Sequence, residues 1–169
     1  KIYELLIEKG KDFNLSNCGM HAMDIMRMES GFLHWGHDIS PEENQYEAGL
    51  NFTISYKKDV NFIGKEALLS IKDKKLKKRF AMFSLKESKP GYPLLLHDEP
   101  IYLEDKIIGR TTSGNYSFNY NKNLSFGYVM SEYSNEELAK MKVYIEVAKQ
   151  KYKAKIELIP LKDKQARFL

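Results

Sequence analysis

The chain has 169 residues, 43% of them hydrophobic, which is enough for one ordinary core or two small units sharing an interface. Its 27 basic and 23 acidic residues nearly balance, and the basic ones are mostly lysines spread along the chain; a nucleic-acid footprint would be clustered, rich in arginine and interleaved with aromatics, so no nucleic-acid partner is expected. No stretch approaches the ~18 apolar residues of a membrane span, there is no signal-peptide pattern, and the lone Cys18 excludes an internal disulfide and a cysteine-cluster zinc site. The expected setting is the cytoplasm, or the mitochondrial matrix in a eukaryote.

A first helix is predicted over Ile2–Gly10, with Ile2, Leu5 and Leu6 on one face and Gly10 as its stop. No capping residue precedes it, and a helix that starts uncapped suggests a chain cut from something longer. A second helical run lies in GMHAMDIMRMES (Gly19–Ser30), closed by Gly31. Met20, Met23 and Met26 recur in it at helical spacing and are expected in the core. Cys18 sits just before this helix, where a thiol can be activated, but a small buried hydrophobe is the expected role. GFLHWGHDISPEEN is a loop punctuated by Gly31, Gly36 and Pro41. LNFTISYK (Leu50–Lys57) alternates cleanly and predicts a strand with Leu50, Phe52, Ile54 and Tyr56 on one face. A helix follows from Lys65 to Lys72, burying Ala67, Leu68 and Ile71. Gly64-Lys65 is not a phosphate-binding loop, because Asp59 and Glu66 occupy positions that need Gly and Ser or Thr. Gly64 is the bend before the helix.

The character of the chain changes near Lys77, and a boundary is placed within Lys72–Lys78; the basic run KDKKLKKRF reads as a solvated linker or helix end. RFAMFSL, PIYLEDKIIGRTTSG (two strands joined at Glu104–Lys106), LSFGYVM, KVYIEVA and KYKAKIEL all read as strands. KPGYP is a turn, and SNEELAKM opens a short helix with a capping box, Ser134 and Glu137. At least six short strands with turn signals predict an antiparallel barrel or sandwich. The class is α+β.

The segment RMESGFLHWGHDISP holds the densest set of polar specialists. Arg27 reads either as an ion-pair partner of Asp24, three residues back, or as a guanidinium fork for a planar anion such as a carboxylate. Glu29 reads as a cap or structural carboxylate. Trp35 offers a flat apolar face with one N–H donor, and core packing is its alternative. His34 and His37 with Asp38 make a weak metal signal, since His21 and His97 show no relation to them in the sequence. Hydrogen-bonded loop histidines are the better reading, and no metal site is assigned.

The run from CGMHAMDIMRMESGFLHWGHDISP through EAGL and FIGKEALL, followed by IGRTTSG, resembles the second half of the glycine-cleavage T-protein (aminomethyltransferase) module from about Ile2 to about Pro160. The R-x-E-x-G run, the W-G-x-D turn, E-A-G-L, F-I-G-K-E-A-L and T-S-G occur in the family's order. Trp35, where stand-alone T-proteins usually have tyrosine, makes the segment more similar to the folate-binding end of dimethylglycine and sarcosine dehydrogenases. The resemblance implies a partial ferredoxin-like α/β unit over 1–76, part of a folate-binding domain, and an antiparallel β-barrel domain over 77–169. It implies tetrahydrofolate as cofactor, with Arg27 and Trp35 as folate-contacting residues, and one-carbon transfer as the chemistry. The family's catalytic aspartate and pterin-binding Tyr/Glu segment have no counterpart here. No catalytic residue is therefore assigned, the chain is expected to be silent alone, and the partner is the upstream part of the same polypeptide, completing the cavity. FAD is expected only if a flavin domain is fused upstream, since no flavin-binding glycine fingerprint is present. A non-catalytic folate-binding or scaffolding domain of the same fold is the alternative.

Overall fold

A computed structural model describes residues 1–130 and 132–157. The element order is α1 (Ile2–Gly10), a 3₁₀ turn (Lys11–Phe13), α2 (Met20–Glu29), a 3₁₀ turn (Asn51–Thr53), α3 (Lys65–Ile71), β1 (Lys78–Leu85), β2 (Pro100–Leu103), β3 (Lys106–Ser117), β4 (Lys122–Met130), α4 (Asn135–Lys140), β5 (Val143–Val147) and β6 (Gln150–Glu157). The six strands close into an antiparallel barrel in the order β1-β4-β3-β2-β5-β6. The α+β class and the C-terminal barrel stand as expected. The last twelve positions of the expected 77–169 unit, and the end of the KYKAKIEL strand with them, lie outside the described residues.

Alternation along the strands explains the barrel. In β1, Ala81, Phe83 and Leu85 point inward to a core shared with Ile101, Val129 and Ile145. Phe80 and Met82 point outward, and the same holds for Leu124 and Phe126 of β4; there they meet Ile25 and Met28 of α2. RFAMFSL is nearly continuous in apolar residues because both of its faces are covered. Each fully buried side chain of this kind contributes about 1.5–3 kcal/mol. Leu138 of α4 joins the inner core, and the Ser134–Glu137 capping box forms with both reciprocal hydrogen bonds.

Where β3 crosses β4 the backbones nearly touch. A Cβ on Gly109 would lie 1.9 Å from the Tyr128 carbonyl oxygen, so only glycine fits. Further along, the β3–β4 register shifts between Thr111 and Ser113, leaving Thr112 as a bulge.

Four expectations from the first half are corrected. Leu50–Lys57 is not a strand: Asn51–Thr53 forms a 3₁₀ turn, and Phe52 is 79% exposed. A strand needs a neighbour to pair with, and no described strand pairs with this segment. The Met20–Met23–Met26 stripe is exposed, because α2 docks on the barrel through Ile25 and Met28, which lie on another side of the helix. Ala67, Leu68 and Ile71 are not buried by α3. Cys18 is exposed rather than packed, since the residues around it reach no core. The helices at Ile2–Gly10 and Lys65–Ile71 are where the sequence puts them, and Gly64 adopts a positive φ at the bend before α3. Among the described residues no helix is long and apolar enough to cross a membrane.

Polar ties fasten the loop after α2 to the barrel. The Phe80 N–H donates to the Glu47 carbonyl at 2.8 Å, and Lys78 Nζ donates to Glu43. Burial raises the Glu43 pKa, but the hydrogen bonds from Lys78 and Ser40 outweigh it and hold the carboxyl below its ordinary 4.5. Glu157 behaves alike: burial is overcome by bonds from Ser84 and Lys155. A depressed folded-state pKa means that the unfolded chain takes up the proton first. The stability these groups add is therefore present above about pH 4.5 and is lost as the pH falls through their folded values. Urea midpoints measured from pH 7 down to pH 3 should hold steady and then fall below pH 4.5, with a shallower fall in Ser84→Ala. Gly109→Ala should cost at least about 3 kcal/mol in the same assay, because backbone rather than a side-chain end blocks the new methyl.

Candidate functional site

The site starts where α2 ends. After Gly31 the chain turns tightly through His34–Ile39. The His34 carbonyl accepts from the Asp38 N–H at 2.8 Å, and the Gly36 N–H donates to the Ile39 carbonyl at 2.8 Å, with Gly36 at φ +90°. This turn drives Asp38 inward until its side chain is wholly buried.

Asp38 then collects four donors. Its Oδ2 accepts from Arg27 Nη1 at 2.5 Å and from the His34 N–H at 2.8 Å. Its Oδ1 accepts from the hydroxyls of Thr112 at 2.6 Å and Ser113 at 2.8 Å. The β3 bulge is what brings these two successive side chains to one carboxylate, since an unbroken strand would point them to opposite faces. Gly114 completes the T-S-G run; a Cβ there would sit 2.5 Å from Leu95, so glycine lets the segment before β2 close over β3.

Arg27 reaches into the same knot. Nε donates to Asp24 at 2.8 Å, Nη1 to the Phe32 carbonyl at 3.1 Å and to Asp38, and Nη2 to Ser113 at 2.8 Å, with Asp24 also 2.6 Å from Nη2. Four of these contacts are hydrogen bonds and the fifth, Nη2 to Asp24, is an ion-pair contact. The ion-pair reading of Arg27 with Asp24 holds, and Nη1 meets a second carboxylate, the chain's own Asp38. Two residues on, buried Glu29 accepts from Ser117 at 2.5 Å and Asn119 at 2.9 Å, a structural carboxylate as expected.

Above Arg27 opens a pocket of about 530 Å³, with Met20, Met23, Phe32, Trp35 and Leu96 among its walls. Trp35 is 65% exposed, so it is not a core residue. The rings of His34 and His37 stack on each other with centroids 4.6 Å apart. His21 and His97, which the sequence leaves unrelated to that pair, line the same pocket. No three of the described His, Cys, Asp or Glu side chains come close enough to hold a metal ion. Thr112 and His37 form a shared wall with a neighbouring pocket of about 630 Å³ that also includes Lys78, Arg110 and Tyr128. The Tyr128 hydroxyl is buried there without a partner, and burial together with Glu43, Asp38 and Glu47 pushes its pKa up.

The fold thus puts Arg27 and Trp35 on one pocket. Asp38 is the residue that sequence reasoning passed over, reading it only beside His34 and His37 as part of a weak metal signal. Its signal was the W-G-x-D turn together with T-S-G, two motifs that meet in space.

Comparison with known proteins agrees with this architecture. The family model of the GCVT N-terminal domain matches residues 1–58, and that of the glycine cleavage T-protein C-terminal barrel domain matches residues 78–163. Mitochondrial dimethylglycine dehydrogenase of Rattus norvegicus is 34% identical over 95% of this chain, which spans 18% of that protein. A mitochondrial pyruvate dehydrogenase phosphatase regulatory subunit of Mus musculus is 31% identical over 95% of the chain, which spans 19% of it. The chain therefore spans under a fifth of the length of these two relatives. The crystal structure of the glycine cleavage system aminomethyltransferase T from Bartonella henselae shares the fold, with a TM-score of 0.80 at 21% identity, covering 94% of this chain and 43% of that one.

Asp38→Asn should lower the unfolding free energy by about 3–5 kcal/mol, because it leaves the Arg27 charge without its buried partner. Denaturant titration measures this. A loss under about 1 kcal/mol would show that the knot does not hold the loop to the barrel.

Proposed function

The chain belongs to the glycine cleavage T-protein family, and on that premise we propose that it forms the C-terminal part of a tetrahydrofolate-dependent, aminomethyltransferase-like module of dimethylglycine or sarcosine dehydrogenase type. The observation that carries the reading is the Arg27–Trp35 pocket. Its volume falls in the range of small-molecule sites, and its walls are mostly apolar with a few convergent polar groups. Folate has a flat pterin, an aryl ring and an anionic glutamate tail, and those walls fit such a molecule. Tetrahydrofolate, when bound, accepts the one-carbon unit.

This chain's residues supply binding and orientation. Trp35 presents an exposed aromatic face on which a flat ring can stack. Arg27, locked between Asp24 and Asp38, gives the wall a fixed positive group. Asp38 sets the position of that guanidinium and ties it to the barrel. Acid/base chemistry belongs to an upstream aspartate in the same polypeptide, so the isolated chain is inactive. The division between 1–76 and 77–169 is part of the same proposal; the barrel's start at Lys78 and the gap between the two family matches support it.

The similarity to a pyruvate dehydrogenase phosphatase regulatory subunit favours a second reading, a folate-binding or scaffolding domain without transfer chemistry. Methylenetetrahydrofolate formation by the full-length protein decides between the two. Formation by residues 1–169 alone would overturn the assignment of the acid/base group to the upstream part. In the full-length protein, Trp35→Ala should weaken tetrahydrofolate binding by about 1–3 kcal/mol with little loss of stability. Arg27→Ala should lose both affinity and stability, and unchanged affinity with lower stability would reduce Arg27 to a structural ion pair.

A further inference from the structure

We propose that Met20 and Met23 form an oxidation-sensitive wall of this pocket: a peroxide converts their thioethers to sulfoxides, and the pocket then loses affinity for the ring-bearing part of its ligand. The inference rests on the folate reading for the ligand's identity, while the modification itself rests on the wall alone.

The stripe of α2 has its methionines at positions 20, 23 and 26. A step of three residues falls about 60° short of a full helical turn, so the stripe slips round the helix as it climbs. Met20 and Met23 share a face with Asp24 and Arg27, and all four line the pocket. Met26 has slipped away from that wall. Met28 lies on the docking side of the helix, buried with Met82 in the outer apolar cluster. Met20, by contrast, is 70% exposed and Met23 51%. Apolar side chains that do not dock their helix, yet line a cavity, suit a ligand wall. The unbranched, polarisable thioether also adapts well to a flat ring.

Thioether oxidation needs contact with the oxidant, so susceptibility follows exposure. The sulfur lone pair attacks one peroxide oxygen and the O–O bond breaks. With hydrogen peroxide the products are the sulfoxide and one water, and the two electrons lost by sulfur reduce the peroxide. Met20 and Met23 are two of the six large apolar side chains of the lining, beside Phe32, Leu33, Trp35 and Leu96. Each sulfoxide puts a dipole and a strong acceptor on a surface that otherwise packs dry against a ring. The pocket's one guanidinium offers these oxygens little, because Arg27 is already engaged by Asp24, Phe32, Asp38 and Ser113. Water solvates them instead, and a ring docking on that wall has to strip the water away. A sulfoxide on Met26 or Met130 leaves this wall untouched. Met130 belongs to the neighbouring pocket, whose walls already carry Glu42, Glu43, Lys78, Asp98 and Arg110.

The test treats the full-length protein with hydrogen peroxide, removes the oxidant with catalase and maps the sulfoxides by peptide mass spectrometry. Tetrahydrofolate is then titrated, with 8-anilinonaphthalene-1-sulfonate as a second probe that reads apolar walls without reference to folate. Met20 and Met23 should oxidise well before Met28 and Met82, and both probes should then bind about three- to tenfold more weakly. Methionine sulfoxide reductase should restore the binding, which requires no variant. Each variant is read as the ratio of its own affinities before and after peroxide. That ratio should stay near one in M20L/M23L, and in M26L it should match the unsubstituted protein. Oxidation of Met20 and Met23 no faster than that of Met28 and Met82 overturns the inference. So does unchanged affinity after their oxidation, a peroxide response that survives M20L/M23L, or failure of both probes to bind. Tetrahydrofolate binding that ignores oxidation would sink the inference and leave the folate reading standing. A dye response that needs Met20 and Met23, with no binding of tetrahydrofolate to the untreated protein, would do the reverse.

Discussion

The buried contact between Arg27 and Asp38 is the interaction on which the rest of the site depends. A wholly buried carboxylate is costly to desolvate, and it is tolerated here because four donors converge on it. Those donors come from α2, from the loop after it and from β3. Removing any one element would strand the others' polar groups, so the three are held as a unit. The guanidinium in turn lies 5.6 Å from the Phe126 ring, which joins the knot to the outer apolar cluster of Met28, Met82 and Leu124.

This arrangement also explains the shape of β3. An unbroken strand would send Thr112 and Ser113 to opposite sides of the barrel wall. The bulge turns both hydroxyls to one carboxylate, at the cost of a disturbed ladder between Thr111 and Ser113. Gly109, where β3 presses against β4, and Gly114, where Leu95 closes over it, flank the bulge and let neighbouring backbone approach. One wall of the pocket is thus built into β3 itself, by the bulge and Gly114, rather than by an added element.

Much of the barrel was legible because it depends on local pattern. Strand periodicity, the Glu104–Lys106 hairpin and the Ser134–Glu137 box each need only neighbours in sequence. The failures came where the pattern needed a partner. LNFTISYK alternates as well as any strand here, but alternation describes a half-buried face and does not provide a neighbouring strand. The methionine stripe of α2 has helical spacing, yet the helix docks through Ile25 and Met28 instead. At the site, Arg27 and Trp35 stood out by residue type. Asp38 did not, since its partners Thr112 and Ser113 lie 74 and 75 residues away. The grouping of His21 and His97 with His34 and His37 is likewise a product of the fold, and spacing in the sequence carries no trace of it.

The two halves of the described structure are stabilised differently, and this bears on how the pocket behaves. The barrel closes on its own apolar core and leaves no open sheet edge. Before Lys78, the buried side chains are Met28, Glu29, Ser30, Asp38, Glu47 and Ala48, and four of those six are polar or charged. The first half is therefore fastened to the barrel chiefly by hydrogen bonds and ion pairs around one packed methionine. Such a unit can open at a lower free energy than the barrel needs to unfold. The pocket lies across that seam, with Trp35 and three of its histidines on the first half and Thr112–Gly114 on the barrel. A change at the Arg27–Asp38 knot therefore acts on the walls of the pocket as well as on the tie between the two halves.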